Sequence, residues 1–143
     1  MQLHKVLIKE IMTTDPVYIG VEEPFSKVWD KLSTHKIRHL PVIDAQRKVV
    51  GMVTQRELYR VISPRKTLEG DFVYSKEELD SFILRHVMKK DVIALKPDDT
   101  LGEAITVMVN TKFGGIPIVD EEKRLMGIIT QIDVLKAIAQ YFI

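Results

Sequence analysis

Phe25, Val28, Trp29 and Leu32 stand at i, i+3, i+4 and i+7. That spacing gathers apolar side chains on one face of an α-helix and predicts a helix over about 24–36. Leu40–Ile43 reads as a short strand entered through Pro41, which lacks an N–H and suits a strand start. A polar turn over Asp44–Lys48 leads to a second strand over Val49–Val53. Thr54 opens another helix carrying Leu58, Val61 and Ile62. Upstream, Leu3, Val6, Leu7 and Ile11 keep helical spacing and predict a short leading helix over 3–11. Pro16 stops it and biases Asp15 toward extended geometry. Pro16–Ile19 is expected as a brief strand and Gly20–Pro24 as a turn. Residues 63–74 carry Pro64, Gly70 and alternating charge without a pattern of their own, and read as a surface connection. Ser75 and Glu78 stand at capping-box spacing. They open a helix striped by Leu79, Phe82 and Ile83 that runs to Val87–Met88.

The pattern then repeats. Asp91–Leu95 is the brief strand, and Leu101, Ala104, Ile105 and Met108 form the helical stripe. The two further strands and the helix after them repeat the plan of the first copy. Pro117 follows Pro41 by 76 positions (117 − 41), and Gly51/Gly127 and Thr54/Thr130 keep the same offset. Met12/Met88, Asp15/Asp91, Lys36/Lys112, Asp44/Asp120 and Gln55/Gln131 are also identical at that offset. A constant offset marks a tandem duplication. The predicted fold is α/β (α+β), a strand–helix–strand–strand–helix unit occurring twice: a first repeat at 1–62, a connection at 63–74 and a second repeat at 75–143. Each three-stranded sheet has helices for one face only, and an uncovered face must be buried. The expected arrangement packs the repeats sheet to sheet about a pseudo-two-fold axis, with two equivalent clefts lined by both copies.

At 143 residues, 45% hydrophobic and 29% charged, the chain has a globular balance. Its net charge of +1 gives no basic excess for nucleic acid or a membrane surface. Without cysteine there is no disulfide, thiolate nucleophile or zinc-finger-type site. No stretch has the apolar core of a signal peptide or the length of a membrane span, so a cytoplasmic location is expected. The last helix, 131–143, is apolar around much of its circumference, through Ile132, Val134, Leu135, Ala137, Ile138, Ala139, Tyr141, Phe142 and Ile143. A helix of that kind is buried on more than one side, and in so small a chain the second side is expected to meet another copy in a homodimer.

Leu40-Pro41-Val42-Ile43-Asp44 with Gly51-Met52-Val53-Thr54-Gln55-Arg56-Glu57, and Ile116-Pro117-Ile118-Val119-Asp120 with Gly127-Ile128-Ile129-Thr130-Gln131-Ile132-Asp133, carry the strongest signal. This tandem pattern resembles the cystathionine-β-synthase-type (CBS) domain, of which two copies form a Bateman module. The resemblance covers nearly the whole chain. It implies a regulatory module that binds an adenosine-containing ligand (AMP, ADP, ATP, NAD or S-adenosylmethionine) between the copies, pairs into dimers, and acts on a separate, unidentified protein.

The resemblance also implies where the ligand sits. Ribose and phosphate contacts fall on Gly127–Asp133, with Ile128 beside them. A helix N-terminus presents unpaired N–H groups to phosphate, Thr130 adds a hydroxyl, and Asp133 offers two acceptor oxygens to the ribose diol. From the opposite copy, Thr13, Val17 and Tyr18 would border the adenine, while Ile37, Arg38 and His39 would reach base or phosphate. Arg38 has the charge and fork geometry for phosphate. A second, weaker cleft would pair Thr54 and Glu57 with Lys89, Ile93, Ala94, Phe113, Gly114 and Gly115. The two glycines stand where the first copy has Arg38 and His39, admitting backbone approach but offering no charge. Glu57 departs from the aspartate of the pattern.

A structural alternative stands beside this. Thr-x-x-acid is itself a helix-capping box, so both motifs can serve only as caps in a ligand-free dimerisation module. Thr54–Glu57 suits the cap better, and Thr130–Asp133 suits the ligand. His4, His35, His39 and His86 lack metal-binding spacing with carboxylates, Trp29 lies in a core stripe, and Arg47–Lys48 and Lys123–Arg124 occupy matching polar turns. No nucleophile elbow, phosphate-binding glycine loop or zinc-protease motif is present, so no catalytic residue, no metal and no enzyme activity are expected.

Overall fold

The computed structural model describes residues 2–61, 65, 66, 68, 72, 73 and 76–143. In chain order, 3-10 turns at Leu3–Lys5 and Ile8–Glu10 precede β1 (Thr13–Thr14), β2 (Ile19–Gly20), α1 (Ser26–Thr34), β3 (His39–Ile43), β4 (Val49–Thr54), α2 (Gln55–Val61), β5 (Arg65–Lys66) and β6 (Phe72–Val73). They are followed by α3 (Lys76–Asp80), α4 (Leu84–Val87), α5 (Leu101–Thr111), β7 (Gly115–Val119), β8 (Leu125–Thr130) and α6 (Gln131–Phe142). The result is a mixed α/β fold with two repeats: the sheet β2-β3-β4 lies within the first repeat, and the sheet β1-β8-β7 joins a strand of the first repeat to the hairpin of the second. The duplication reaches the backbone: Lys36 and Lys112 share a left-handed φ (52° and 62°), as do Arg47 and Lys123 (69° and 65°).

The chain forms two compact units, and their boundaries cut across the repeats. One unit comprises Met1–Pro16, Gln46–Val49 and Val92–Ile143. Its sheet runs in the order β1-β8-β7, with both neighbours antiparallel. Thr13 pairs with Ile128 and Thr14 with Gly127, while Gly115 pairs with Thr130 at the far end of the hairpin. The leading segment is strapped to the start of α5 by backbone bonds from Ile8 N–H to Asp99 O (2.8 Å) and from Leu101 N–H to Val6 O (2.8 Å). Ile8, Leu101, Ala104, Met108, Ile116, Ile118 and Ile129 form its core. Thr100 and Glu103 close a capping box on α5. Gly127 is needed where β1 crosses β8, because a Cβ there would lie 2.8 Å from Thr13 O and 2.9 Å from Met12 Sδ.

The other unit comprises Val17–Ala45 and Val50–Asp91. Its sheet runs β2-β3-β4, with β2 parallel to β3. Ile19, Phe25, Val28, Leu32, Leu40, Val42, Val53, Leu58 and Leu79 lie in its core. Asp80, at the end of α3, accepts the Ser26 N–H (2.8 Å) and so caps the start of α1, where Phe25 offers no side-chain cap. The second repeat's leading segment lies on the first repeat's hairpin: Met52 and Lys89 exchange backbone hydrogen bonds of 2.9 and 2.8 Å. A Cβ at Gly51 would meet Met88 Sδ at 2.6 Å and Lys89 O at 2.8 Å. Gly51 with Met88 therefore repeats Gly127 with Met12.

Several local expectations are corrected. The leading helix over 3–11 is instead two 3-10 turns, because Leu7 is extended (φ −78°, ψ 143°) and bridges to Thr100. Its N–H donates to Glu10 Oε2 (2.8 Å) rather than into a helix. Asp15 is left-handed (φ 50°), not extended; short polar side chains tolerate that region where the chain must turn. The first brief strand is only Ile19–Gly20. Over 91–95 a single parallel bridge from Leu95 to Ile118 replaces the expected strand. The helix expected up to Met88 is two helices, α3 and α4, separated at Ile83. That residue is extended (φ −100°, ψ 121°) and 58% exposed, hence off the stripe, whereas Phe82 packs its ring 6.0 Å from that of Phe25. The connection expected to be patternless contains the antiparallel pair β5–β6. Ile62 and the Ser75 cap lie outside the described residues. On α6 only Asp133 and Ala137 are buried; Ile132, Leu135, Ile138 and Phe142 face outward opposite them.

Candidate functional site

The hairpin β7–β8 delivers the chain directly into α6, so Thr130 is both the last strand residue and the helix N-cap. Its extended geometry (φ −118°, ψ 168°) turns its N–H and hydroxyl toward the first helical turn. Asp133, one turn in, is 9% exposed. Its Oδ2 accepts the Thr130 N–H at 2.9 Å and the Thr130 hydroxyl at 3.2 Å. The Asp133 N–H in turn donates to Thr130 Oγ1 at 3.4 Å. The positive end of the helix dipole favours the carboxylate here. A third donor comes from far along the chain: Thr13 Oγ1 donates to Asp133 Oδ1 at 3.0 Å, with a longer approach of 3.3 Å to Oδ2. Thr13 and Ile128 are paired across β1 and β8, which sets this reach. Four expected site residues, Thr13, Ile128, Thr130 and Asp133, thus come together in one unit.

Thr54 and Glu57 make the corresponding pair in the other unit, with different chemistry. Both the Thr54 N–H and its hydroxyl donate to Glu57 Oε1 at 2.9 Å, and Arg56 N–H donates to Thr54 Oγ1 at 3.1 Å. Glu57 is 1% exposed, and its Oε2 is buried without a hydrogen-bond partner. His39, at the start of β3, is held below its ordinary pKa by burial, with Arg38 adding to the effect and Glu57 opposing it. Val17 and Ile37 pack on this unit's core, while Tyr18 and Arg38 are exposed. Lys89 is fixed by its backbone bonds to Met52.

Ile93 and Ala94 are exposed in the first unit, and Phe113 and Gly114 are half-buried. Gly115 is buried within β7, and Gly114 O accepts the Gln131 N–H at 3.0 Å, tying the start of β7 to the start of α6. Among the described residues, no group of three or more His, Asp or Glu side chains is disposed to hold a metal ion, and no helix is long and apolar enough to cross a membrane.

The CBS domain family model matches residues 8–64 and 84–140. The chain belongs to the CBS domain family. The CBS domain pair of protein MJ0100, in complex with 5′-methylthioadenosine and S-adenosyl-L-methionine, shares its fold with a TM-score of 0.77 at 21% identity, covering 94% of this chain and 97% of that one. CBSX2 in complex with AMP also gives a TM-score of 0.77, at 22% identity and the same coverage. Inosine-5′-monophosphate dehydrogenase of Methanocaldococcus jannaschii is 31% identical over 132 residues. That match takes in 92% of this chain but only 22% of the dehydrogenase.

Within the CBS chain, then, each repeat places a carboxylate at a helix start beside a threonine hydroxyl. The Asp133 carboxylate is an acceptor of hydroxyl donors, and its neighbouring helix N-terminus is a donor of N–H groups to anions. The bond from Thr13 to Asp133 spans 120 positions and has no local signal in the sequence. The unpaired buried oxygen of Glu57 likewise has no local signal in the sequence, although the extra methylene of glutamate is a visible departure at that position.

Proposed function

We propose that this CBS domain chain is a regulatory module that binds an adenosine-containing ligand through Thr130 and Asp133 and acts on a separate partner protein. The ligand class is AMP, ADP, ATP, NAD or S-adenosylmethionine. The observation that carries this reading is the Asp133 carboxylate, buried at the start of a 12-residue helix and already engaged by hydroxyl groups. A carboxylate that accepts threonine hydroxyls can accept ribose hydroxyls in the same geometry. The 5′-methylthioadenosine, S-adenosyl-L-methionine and AMP complexes of proteins with the same fold support the ligand class. In this reading Thr13 and Ile128, in the same unit as Asp133, border the ligand, and the Thr54–Glu57 group is a second, weaker site. No catalytic step is assigned to any residue. A second copy of the chain covers the outward apolar stripe of α6.

A thermal-shift panel with AMP, ADP, ATP, NAD and S-adenosylmethionine tests the reading. At about 100 times its dissociation constant, a true ligand adds roughly 2.7 kcal/mol of stability. Asp133→Ala should abolish that shift and Glu57→Ala should reduce it less. Absence of a shift with every ligand at millimolar concentration overturns the proposal.

A further inference from the structure

We infer that the Thr13 hydroxyl is a built-in competitor for the Asp133 carboxylate, which sets how tightly that site takes a ligand diol. This rests on the reading that Asp133 receives ribose hydroxyls. A carboxylate offers about four lone-pair positions, two on each oxygen. At Asp133 the two on Oδ2 are taken by the Thr130 N–H and hydroxyl, at 2.9 and 3.2 Å, as part of the helix cap. Oδ1 is left for everything else, and the Thr13 hydroxyl takes one of its two positions at 3.0 Å, with a longer approach of 3.3 Å to Oδ2. A vicinal diol presents two O–H donors side by side, so it needs both positions on Oδ1 or must break the cap. Opening Oδ1 is the smaller change, because only the Thr13 side chain has to rotate. The backbone of β1 stays paired to β8, where Thr13 faces Ile128 and its carbonyl lies against Gly127.

The other repeat lacks this arrangement. The position corresponding to Thr13 is Lys89, and Glu57 Oε2 has no hydrogen-bond partner. Glu57 receives the hydroxyl of its own cap, Thr54, and a second hydroxyl contributed by a leading strand is peculiar to the Asp133 site. Occupancy by a diol and engagement by Thr13 exclude one another, so ligand binding also frees the side chain of the leading strand.

Isothermal titration with AMP tests the inference on the full chain. Thr13→Val keeps the shape and removes the donor. Since the diol no longer has to displace a hydrogen bond to a charged group, the variant should bind AMP at least about tenfold more tightly. Thr13→Ser, which restores a hydroxyl at the same place, should bring the affinity back toward wild type. Far-UV circular dichroism and the thermal midpoint check that both variants fold. Wild-type binding that requires Asp133 but is equal or weaker in Thr13→Val overturns the competitor role and leaves the ligand reading standing. No heat from AMP in either protein overturns the competitor role too, because the opened carboxylate then still takes no diol. Failure of the other four adenosine ligands as well overturns the reading of the site.

Discussion

Asp133 and Glu57 show how one methylene changes a side chain's options. At Asp133 the short arm brings the two oxygens to different partners, the cap and the leading strand. At Glu57 the longer arm folds back so that a single oxygen takes both Thr54 donors and the other faces the protein interior. Glycine 127 acts by what it lacks. Gly127→Ala would press a methyl onto the Thr13 carbonyl and the Met12 sulfur, and overpacking of this kind costs about 1–3 kcal/mol. Urea denaturation should show that loss, and an unchanged midpoint would disprove the close crossing. His39 carries the pH dependence. Its folded pKa lies below the ordinary value of 6.5, chiefly through burial. The unfolded chain therefore binds the proton first, and stability present above pH 6.5 falls as pH drops toward the folded value. Thermal melts between pH 7.5 and about 5 should lose less stability in His39→Gln than in wild type; parallel curves would remove His39 from the account.

Among the elements, those whose caps and stripes are local are legible in the sequence. The α5 stripe of Leu101, Ala104 and Met108 is buried as its spacing requires. Thr100 accepts the Glu103 N–H at 3.2 Å, and Glu103 accepts the Thr100 N–H at 3.3 Å. Thr100→Ala should cost about 1 kcal/mol, read as a lower urea midpoint by circular dichroism; a loss near zero would show that tertiary packing alone holds the helix start. Elements that depend on distant partners are not legible. Leu7 breaks a helical pattern because Thr100 bridges to it, and Ile83 leaves its apolar stripe because the chain bends between α3 and α4. The same divide runs through the candidate site. Thr130 with Asp133, and Thr54 with Glu57, can be read from their three-residue spacing. Thr13 joins Asp133 only because β1 lies beside β8.

For the molecule as a whole, the duplication is legible because identical residues recur at one offset, while the distribution of the leading segments is not. Residues 1–16 fold with 92–143, and 76–91 fold with the first repeat's hairpin. The outward stripe of Ile132 (58% exposed), Leu135 (59%) and Phe142 (62%) on α6 is large for a surface left to water. Sedimentation velocity should give a dimer for wild type and a monomer for the Ile132→Lys, Leu135→Lys double variant. A monomeric wild type would refute the second-copy proposal. The exchange of leading segments has a consequence for anyone dividing the gene. Cutting within 63–74 does not release two finished pieces: the C-terminal fragment loses the strand that shields the Ile128 edge of its sheet, and the N-terminal fragment loses the backbone partner of Met52. Mixed in solution, the fragments should recombine, each supplying the missing border of the other.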